Sequence, residues 1–235
     1  MYIGEYKVLD IEYDELMGLA SHYKSTYSSN SPFPNIYFDD FFNDAFLTEV
    51  LSEFPEMGGK EDIQYKTPNE VKLASRGESR FGKATKVFMH FLNSEPFLNF
   101  LSELTGIEDL LGDPYYEGGG CHQIKRGGFL KVHAEFNKHK RTGLDRRLNV
   151  LVYLNKDWKE EYGGHFELWN EGYPVNSMGD YPKVDYISNY NCVEGISIQL
   201  FLGCDFGEND SIFIKTKGTE SPIELMKAIL NNIEG

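Results

Sequence analysis

The sequence has few cysteines, few basic residues for its acidity, and no long apolar run. Its 3 cysteines, Cys121, Cys192 and Cys204, are widely separated, so they build neither a disulfide framework nor the paired spacing of a structural zinc site. Lys and Arg number 23 against 37 Asp and Glu, a net charge of -14, which repels nucleic acid and anionic membranes. The N-terminus lacks a basic, apolar leader, and nowhere do about 18 apolar residues follow one another. We therefore expect a cytoplasmic protein without nucleic-acid or membrane partners.

Apolar and aromatic residues, by contrast, are plentiful. Hydrophobic residues make up 40% and aromatic residues 14% of the 235-residue chain, enough for a packed interior. This length suits one domain. We expect a lead-in over 1–30, a helix-rich part over 31–112, a strand-rich core over 113–220 and a C-terminal helix over 221–235.

Several local signals predict where helices begin and end. Asn43 is a suitable N-cap for a helix that ends before Pro55, and a second helical pattern starts near Lys83. A third starts at Ser94 and ends before Gly106. The C-terminal helix is predicted from a capping box, Ser221 with Glu224, and from Pro222 at its first position. The polar segment over 57–80 is assigned no role.

Short β-like runs punctuated by glycine dominate after residue 112 and suggest a sandwich or barrel. An earlier extended segment is predicted at Asn35–Phe38, after two prolines. The later strands are predicted at Gly120–Arg126, Phe129–Phe136, Arg147–Leu154, His165–Trp169, Ile196–Leu202 and Ser211–Thr216.

The run GGFLKVHAEF carries the strongest chemical signal. The strand period of two places His133 and Glu135 on one face, so an imidazole and a carboxylate project side by side. Two His and one carboxylate form the facial triad that holds Fe(II) and leaves open positions. The same pair also fits an ordinary polar strand face. In the next strand, RRLNVLVYLNKDW, Leu148 alternates with polar-face residues such as Asn149 and Tyr153.

GGFLKVHAEF, RRLNVLVYLNKDW and YGGHFELW, in this order, resemble the prolyl-4-hydroxylase-like branch of the Fe(II)/2-oxoglutarate dioxygenases. The resemblance is closest over residues 120–169 and extends over roughly 31–169. It implies a mainly β fold with flanking helices, built on a double-stranded β-helix (a cupin-like jelly roll). It also implies Fe(II) and the co-substrate 2-oxoglutarate, with ascorbate as a candidate auxiliary.

The resemblance also implies roles for individual residues. His133 and Glu135 would be the catalytic metal ligands, although most members of the family have Asp where this chain has Glu135. Tyr153 would meet the far carboxylate of 2-oxoglutarate, unless it is only a half-buried strand tyrosine. Gln123 matches a second co-substrate contact loosely, and Asn149 and Phe166 would line the same pocket. Arg147 is either a pocket cation or a solvated charge.

The family's distal metal-binding histidine is missing, because no histidine follows His165. The candidate replacements are His165 itself, His139, and the polar cluster Asp205, Glu208, Asn209 and Asp210. Lys215 or Lys217 would replace the missing basic partner of the co-substrate.

Three functions follow. The first is an oxygenase that hydroxylates a peptidyl-prolyl group or a small molecule and converts 2-oxoglutarate to succinate. The second is a catalytically inactive β-helix module, and the third is a cupin-like metalloenzyme that uses no 2-oxoglutarate.

Overall fold

The computed structural model describes residues 1–30, 34–131, 138–157, 159, 195–204 and 210–215, the last two ranges as strand backbone. The helices in these ranges are α1 (Tyr13–Ser29), α2 (Asp44–Ser52), α3 (Lys83–Leu92) and α4 (Glu95–Thr105), with a 3-10 turn at Glu78–Arg80. The strands are β1 (Tyr2–Ile3), β2 (Tyr6–Lys7), β3 (Asn35–Asp39), β4 (Ile63–Lys66), β5 (Glu70–Ala74), β6 (Gly120–Ile124), β7 (Phe129–Leu130), β8 (Asp145–Tyr153), β9 (Gly195–Cys204) and β10 (Asp210–Lys215).

Helices α2, α3 and α4 confirm the predictions made from their local signals. The Asn43 side chain accepts a hydrogen bond of 3.0 Å from the Phe46 backbone N–H and so caps α2. Helix α4 ends at Gly106, whose φ of 74° is the left-handed conformation that favours glycine at a helix end. The predicted C-terminal helix over 221–235 lies outside the described residues.

Helix α1 occupies a region that the sequence analysis treated only as a lead-in. Its start is fixed by a capping box, in which the Glu12 backbone N–H donates to Glu15 Oε2 at 3.0 Å. Leu16, Ala20 and Tyr27 on one side of the helix are buried. The segment over 57–80 likewise contains a β-hairpin, formed by β4 and β5.

Eight strands form one sheet in the order β3-β10-β8-β9-β6-β5-β4, with β7 paired to β5. Strand β10 runs parallel to both β3 and β8, and β9 runs antiparallel to β8 and β6. Strands with flanking helices are thus confirmed. Within the ranges that are described, the strands outside the β1–β2 ribbon make a single sheet, so the double-stranded β-helix remains a prediction.

The core lies between the helices and one face of this sheet. Leu148, Val150 and Val152 of β8, together with Cys121 of β6, belong to the same buried cluster as the helical phenylalanines. Most of these rings meet edge-on or tilted, as Phe88 does with Phe42, the residue just before the α2 cap, at 4.8 Å between ring centroids, while Phe97 and Phe100 of α4 are stacked. No helix in the described part of the chain has the length and apolar character of a membrane span.

Candidate functional site

The predicted metal ligands, His133 and Glu135, lie outside the described residues, as does Phe166. The described residues nearest to these ligands in the chain are Lys131 and Lys138. Among described residues, no group of three His, Cys, Asp or Glu side chains is arranged to hold a metal ion. The ligand roles therefore stay predictions.

Strand pairing brings Tyr153 and Lys215 together. Lys215 of β10 is the Cα partner of Tyr153 in β8, and on the other side Ser197 of β9 is also a partner of Tyr153. Ser197 is in turn the partner of His122 in β6. Because directly opposed residues share a face of a sheet, these four positions form one row on one face. The row thus contains Lys215, Tyr153, Ser197 and His122, one residue from each of four strands.

Asn149 lies on the same face, four residues before Tyr153 in β8. It is paired with Ser211 and Phe201, four residues before Lys215 and four after Ser197 in their own strands. The Asn149 side chain is 8% exposed, and its buried Oδ1 has no hydrogen-bond partner within the described residues. A buried amide oxygen without a donor costs about 1–3 kcal/mol, so this site fits a bound polar group.

Leu151 lies between Asn149 and Tyr153 on this face. It is 4% exposed, but it lies outside the buried cluster to which its neighbours Val150 and Val152 belong. The row around Tyr153 is therefore on the sheet face away from the helical core, and that face is itself covered.

Gln123 lies on the opposite face from Tyr153. Its Cα partner in β9 is Ile196, and it shares the parity of Cys121, a member of the helical core cluster. The register places its neighbour His122 in the row of Tyr153 instead. Sequence reasoning gave His122 no role, because which residue of a buried strand faces a pocket depends on pairing with a distant strand.

His122 is held by a defined hydrogen bond. It is 6% exposed, and its Nε2 lies 3.1 Å from the Gly118 carbonyl oxygen. Since a carbonyl can only accept, Nε2 carries a proton. This bond fixes the orientation of the ring within the row.

His139, considered above as a replacement metal ligand, has both ring nitrogens engaged. Nε2 lies 3.1 Å from Asp113 Oδ1, and Nδ1 accepts the backbone N–H groups of Arg141 and Thr142 at 3.2 and 3.1 Å. An imidazole with this set of partners has no lone pair left for a cation. The structure therefore does not support His139 as a local ligand.

Residues 119–192 of the 235 match the sequence profile of the 2OG-Fe(II) oxygenase superfamily. The match covers less than half of the chain and is a similarity of this stretch to the superfamily. No curated protein matches the chain. The matched segment includes His133, Glu135 and Tyr153, so the superfamily resemblance of the three motifs is confirmed.

The match over 119–192 supports an oxygenase function in general terms, and the superfamily implies Fe(II) and 2-oxoglutarate. The residue types predicted for the site suit both in their chemistry. Imidazole and carboxylate are ligand types that Fe(II) accepts, and a tyrosine hydroxyl and a lysine ammonium are donors of the kind that bind a carboxylate. The roles of His133, Glu135, Tyr153 and Lys215 stay predictions. The prolyl-4-hydroxylase-like branch, the use of ascorbate and the cytoplasmic location stay predictions.

Proposed function

We propose that the protein is an Fe(II)- and 2-oxoglutarate-dependent oxygenase that hydroxylates a peptidyl-prolyl group or a small molecule. The superfamily match over the segment that contains His133, Glu135 and Tyr153 carries this proposal. The register that sets Lys215 beside Tyr153 supports it, since the two residues lie far apart in the sequence.

In this proposal His133 and Glu135 hold the iron through an imidazole nitrogen and a carboxylate oxygen. Bound Fe(II) would supply oxygen activation for the conversion of 2-oxoglutarate and O2 to succinate and CO2, with one oxygen atom inserted into a substrate C–H bond. The Tyr153 hydroxyl donates a hydrogen bond to the far carboxylate of 2-oxoglutarate. The Lys215 ammonium neutralises the same carboxylate.

The sheet face contributes by excluding water around this carboxylate. Leu151 and Asn149, which share the face with Tyr153, are 4% and 8% exposed. In a site of low effective dielectric, a cation and a hydroxyl bind an anion more strongly than they do in water. The protein thereby orients the co-substrate, while the chemistry of oxygen belongs to the metal.

The decisive experiment measures succinate formed from 2-oxoglutarate in the presence of Fe(II) and O2. We expect turnover by the wild type and a loss of at least about 100-fold in His133→Ala and Glu135→Ala, because each removes a metal ligand. His22→Ala is the matched control, since His22 is exposed on α1. A wild type that neither binds Fe(II) nor forms succinate with peptide and small-molecule panels would contradict the proposal.

A second candidate function is a β-helix module that binds a partner without turnover. The observation in its favour is that no histidine follows His165, so the family's distal ligand is missing. Stoichiometric Mn(II) binding that is lost in His133→Ala would count against this candidate, because a module that binds a partner without catalysis does not require a metal ion.

A further inference from the structure

The turn that follows the predicted metal-binding segment is built around one histidine side chain. This turn covers residues 138–145 and joins the segment containing His133 and Glu135 to β8. The His139 backbone N–H donates to the Leu144 carbonyl at 2.9 Å, and the Gly143 N–H donates to the His139 carbonyl at 2.9 Å. The ring of His139 then accepts two further backbone N–H groups of the same turn at its Nδ1. One residue therefore organises the whole turn.

Asp113 ties this turn to a second loop. Its carboxylate accepts the backbone N–H groups of Tyr115 and Glu117 at 2.8 and 2.6 Å, and it accepts the Nε2–H of His139 at 3.1 Å. Asp113 is 6% exposed, so these bonds are shielded from water. Glu117 adds a second link, because its Oε2 accepts the Lys140 backbone N–H at 3.1 Å.

The outer side of the His139 ring is covered as well. The Tyr115 ring lies 5.9 Å from it, and the Arg141 guanidinium lies 4.7 Å above the Tyr115 ring. Only 11% of the His139 side chain remains exposed. The histidine is thus fixed by hydrogen bonds at both nitrogens and by packing on its face.

Both described ends that flank residues 132–137 are anchored. On the N-terminal side β7 pairs with β5, and the Lys131 N–H donates to the Asn69 carbonyl at 2.9 Å. On the C-terminal side Lys138 pairs with Asp145 and its ammonium lies 3.0 Å from the Asp145 carboxylate. The cluster of His139 and Asp113 begins at the very next residue.

We propose that His139 and Asp113 are positioning residues that hold the chain beyond Glu135 in the geometry required for metal binding. This inference rests on the proposed function. We assign neither residue a metal-ligand role: His139 has no nitrogen lone pair to spare, and the Asp113 carboxylate accepts hydrogen bonds from the Tyr115, Glu117 and His139 N–H groups. Their effect is to remove the freedom of one end of the ligand-bearing segment before the cation binds.

The test is Mn(II) binding, measured by electron paramagnetic resonance and calorimetry, which requires no turnover. We expect His139→Ala to weaken Mn(II) binding about tenfold to a hundredfold, the range known for residues that orient metal ligands. His90→Ala is the matched control, since His90 lies on the exposed side of α3 and pairs with Glu78.

Two conservative variants distinguish the contributions of the hydrogen bonds at the two ring nitrogens of His139. His139→Gln retains a donor at the position of Nε2 and keeps the bond to Asp113, whereas His139→Asn retains an acceptor at the position of Nδ1 and keeps the turn. We expect each to restore part of the Mn(II) affinity. These variants also serve if His139→Ala does not fold.

Different outcomes identify different failures. If the wild type binds no Mn(II), the proposed function and this inference fail together. If the wild type binds Mn(II) and the folded His139 variants bind it equally well, only the positioning role is wrong. A variant that melts at a lower temperature but keeps its full Mn(II) affinity would show that the cluster only stabilises the loop, and this result would overturn the inference.

Discussion

Lys215 of β10 is the Cα partner of Tyr153 of β8, in a parallel pairing that continues back to Asp210 and Leu148. The pairing puts a cationic and a phenolic residue side by side on the sheet face away from the helical core. The same two residue types were expected, from the family resemblance, to share one carboxylate of 2-oxoglutarate. The register places the two positions opposite each other, and their shared role stays a prediction.

The first prediction is that Tyr153 and Lys215 act on the same ligand. Tyr153→Phe and Lys215→Met should each weaken 2-oxoglutarate binding to the Mn(II) form by roughly tenfold or more, because a hydrogen bond to a charged group contributes about 1.5–3 kcal/mol. Calorimetric titration measures the effect. The double variant should lose less than the sum of the two single losses, because neighbouring residues on one ligand are coupled.

Tyr65→Phe on the edge strand β4 is the matched control for the loss of a phenolic hydroxyl. It should leave the affinity for 2-oxoglutarate unchanged. Strictly additive losses in the double variant would mean that Tyr153 and Lys215 do not share a carboxylate.

Helices α2, α3 and α4 could be predicted from the sequence because each carries its own signals. Asn43 caps α2, and Gly106 ends α4 in the left-handed conformation. Helix α1 was missed because only Leu16, Ala20 and Tyr27 along its length are buried, so its apolar pattern is weak. The Glu12 and Glu15 capping box was the one local signal that could have located it.

The candidate site was less predictable than the helices. Parity along β8 correctly grouped Asn149 with Tyr153, because the strand period is local. Which residues of β6 share a face with Tyr153 depends on long-range strand pairing. From the sequence, Gln123 was favoured for this face, but the register places His122 there. The neighbour of Tyr153 in β10 depends likewise on which distant strand pairs with β8.

The second prediction concerns the cap of α2. Asn43→Ala removes the acceptor of the Phe46 N–H and also the bond of 2.9 Å from Asn43 Nδ2 to Asp10. We expect the free energy of unfolding to fall by about 1–2 kcal/mol, the usual cost of losing such a cap. Asn43→Ser keeps an acceptor for the Phe46 N–H without placing a second carboxylate against Asp10, so it should cost less in chemical denaturation. Equal losses in both variants would assign the effect to the bond with Asp10.

The third prediction concerns the ion pair between buried Asp62, just before β4, and partly exposed Arg80. The Asp62 side chain is 0% exposed, and its carboxylate accepts Arg80 Nε–H at 3.0 Å and the Gly58 N–H at 2.8 Å. Arg80→Met leaves this carboxylate without its cation, so the free energy of unfolding should fall by about 3 kcal/mol. Arg76→Met, at an exposed arginine, is the control in the same denaturation experiment.

A double variant tests the cause of that loss. In Arg80→Met combined with Asp62→Asn no buried charge remains, while the amide oxygen still accepts the Gly58 N–H. The double variant should therefore be more stable than Arg80→Met alone. If it is less stable, the Asp62 carboxylate stabilises the fold even without its cation, through the Gly58 and Gly59 N–H groups that it accepts at 2.8 and 3.1 Å.

The last prediction concerns Cys121, which is 1% exposed in the helical core cluster. Burial raises the pKa of its thiol from 9.0 to about 12. Between these values the unfolded chain has lost the thiol proton and the folded chain has kept it, so the stability of the fold falls as pH rises from about 9 toward 12. Unfolding of Cys121→Ala across this window should have a shallower pH dependence than that of the wild type, by up to about 1.4 kcal/mol per pH unit. Below pH 9 the thiol is protonated in both states, so the two curves should run parallel.

In the native wild type the same burial should protect Cys121 from iodoacetamide at pH 8, as read by peptide mass spectrometry. Rapid alkylation of Cys121 under native conditions would mean that β6 opens to solvent, and the covered face around Tyr153 could then not exclude water.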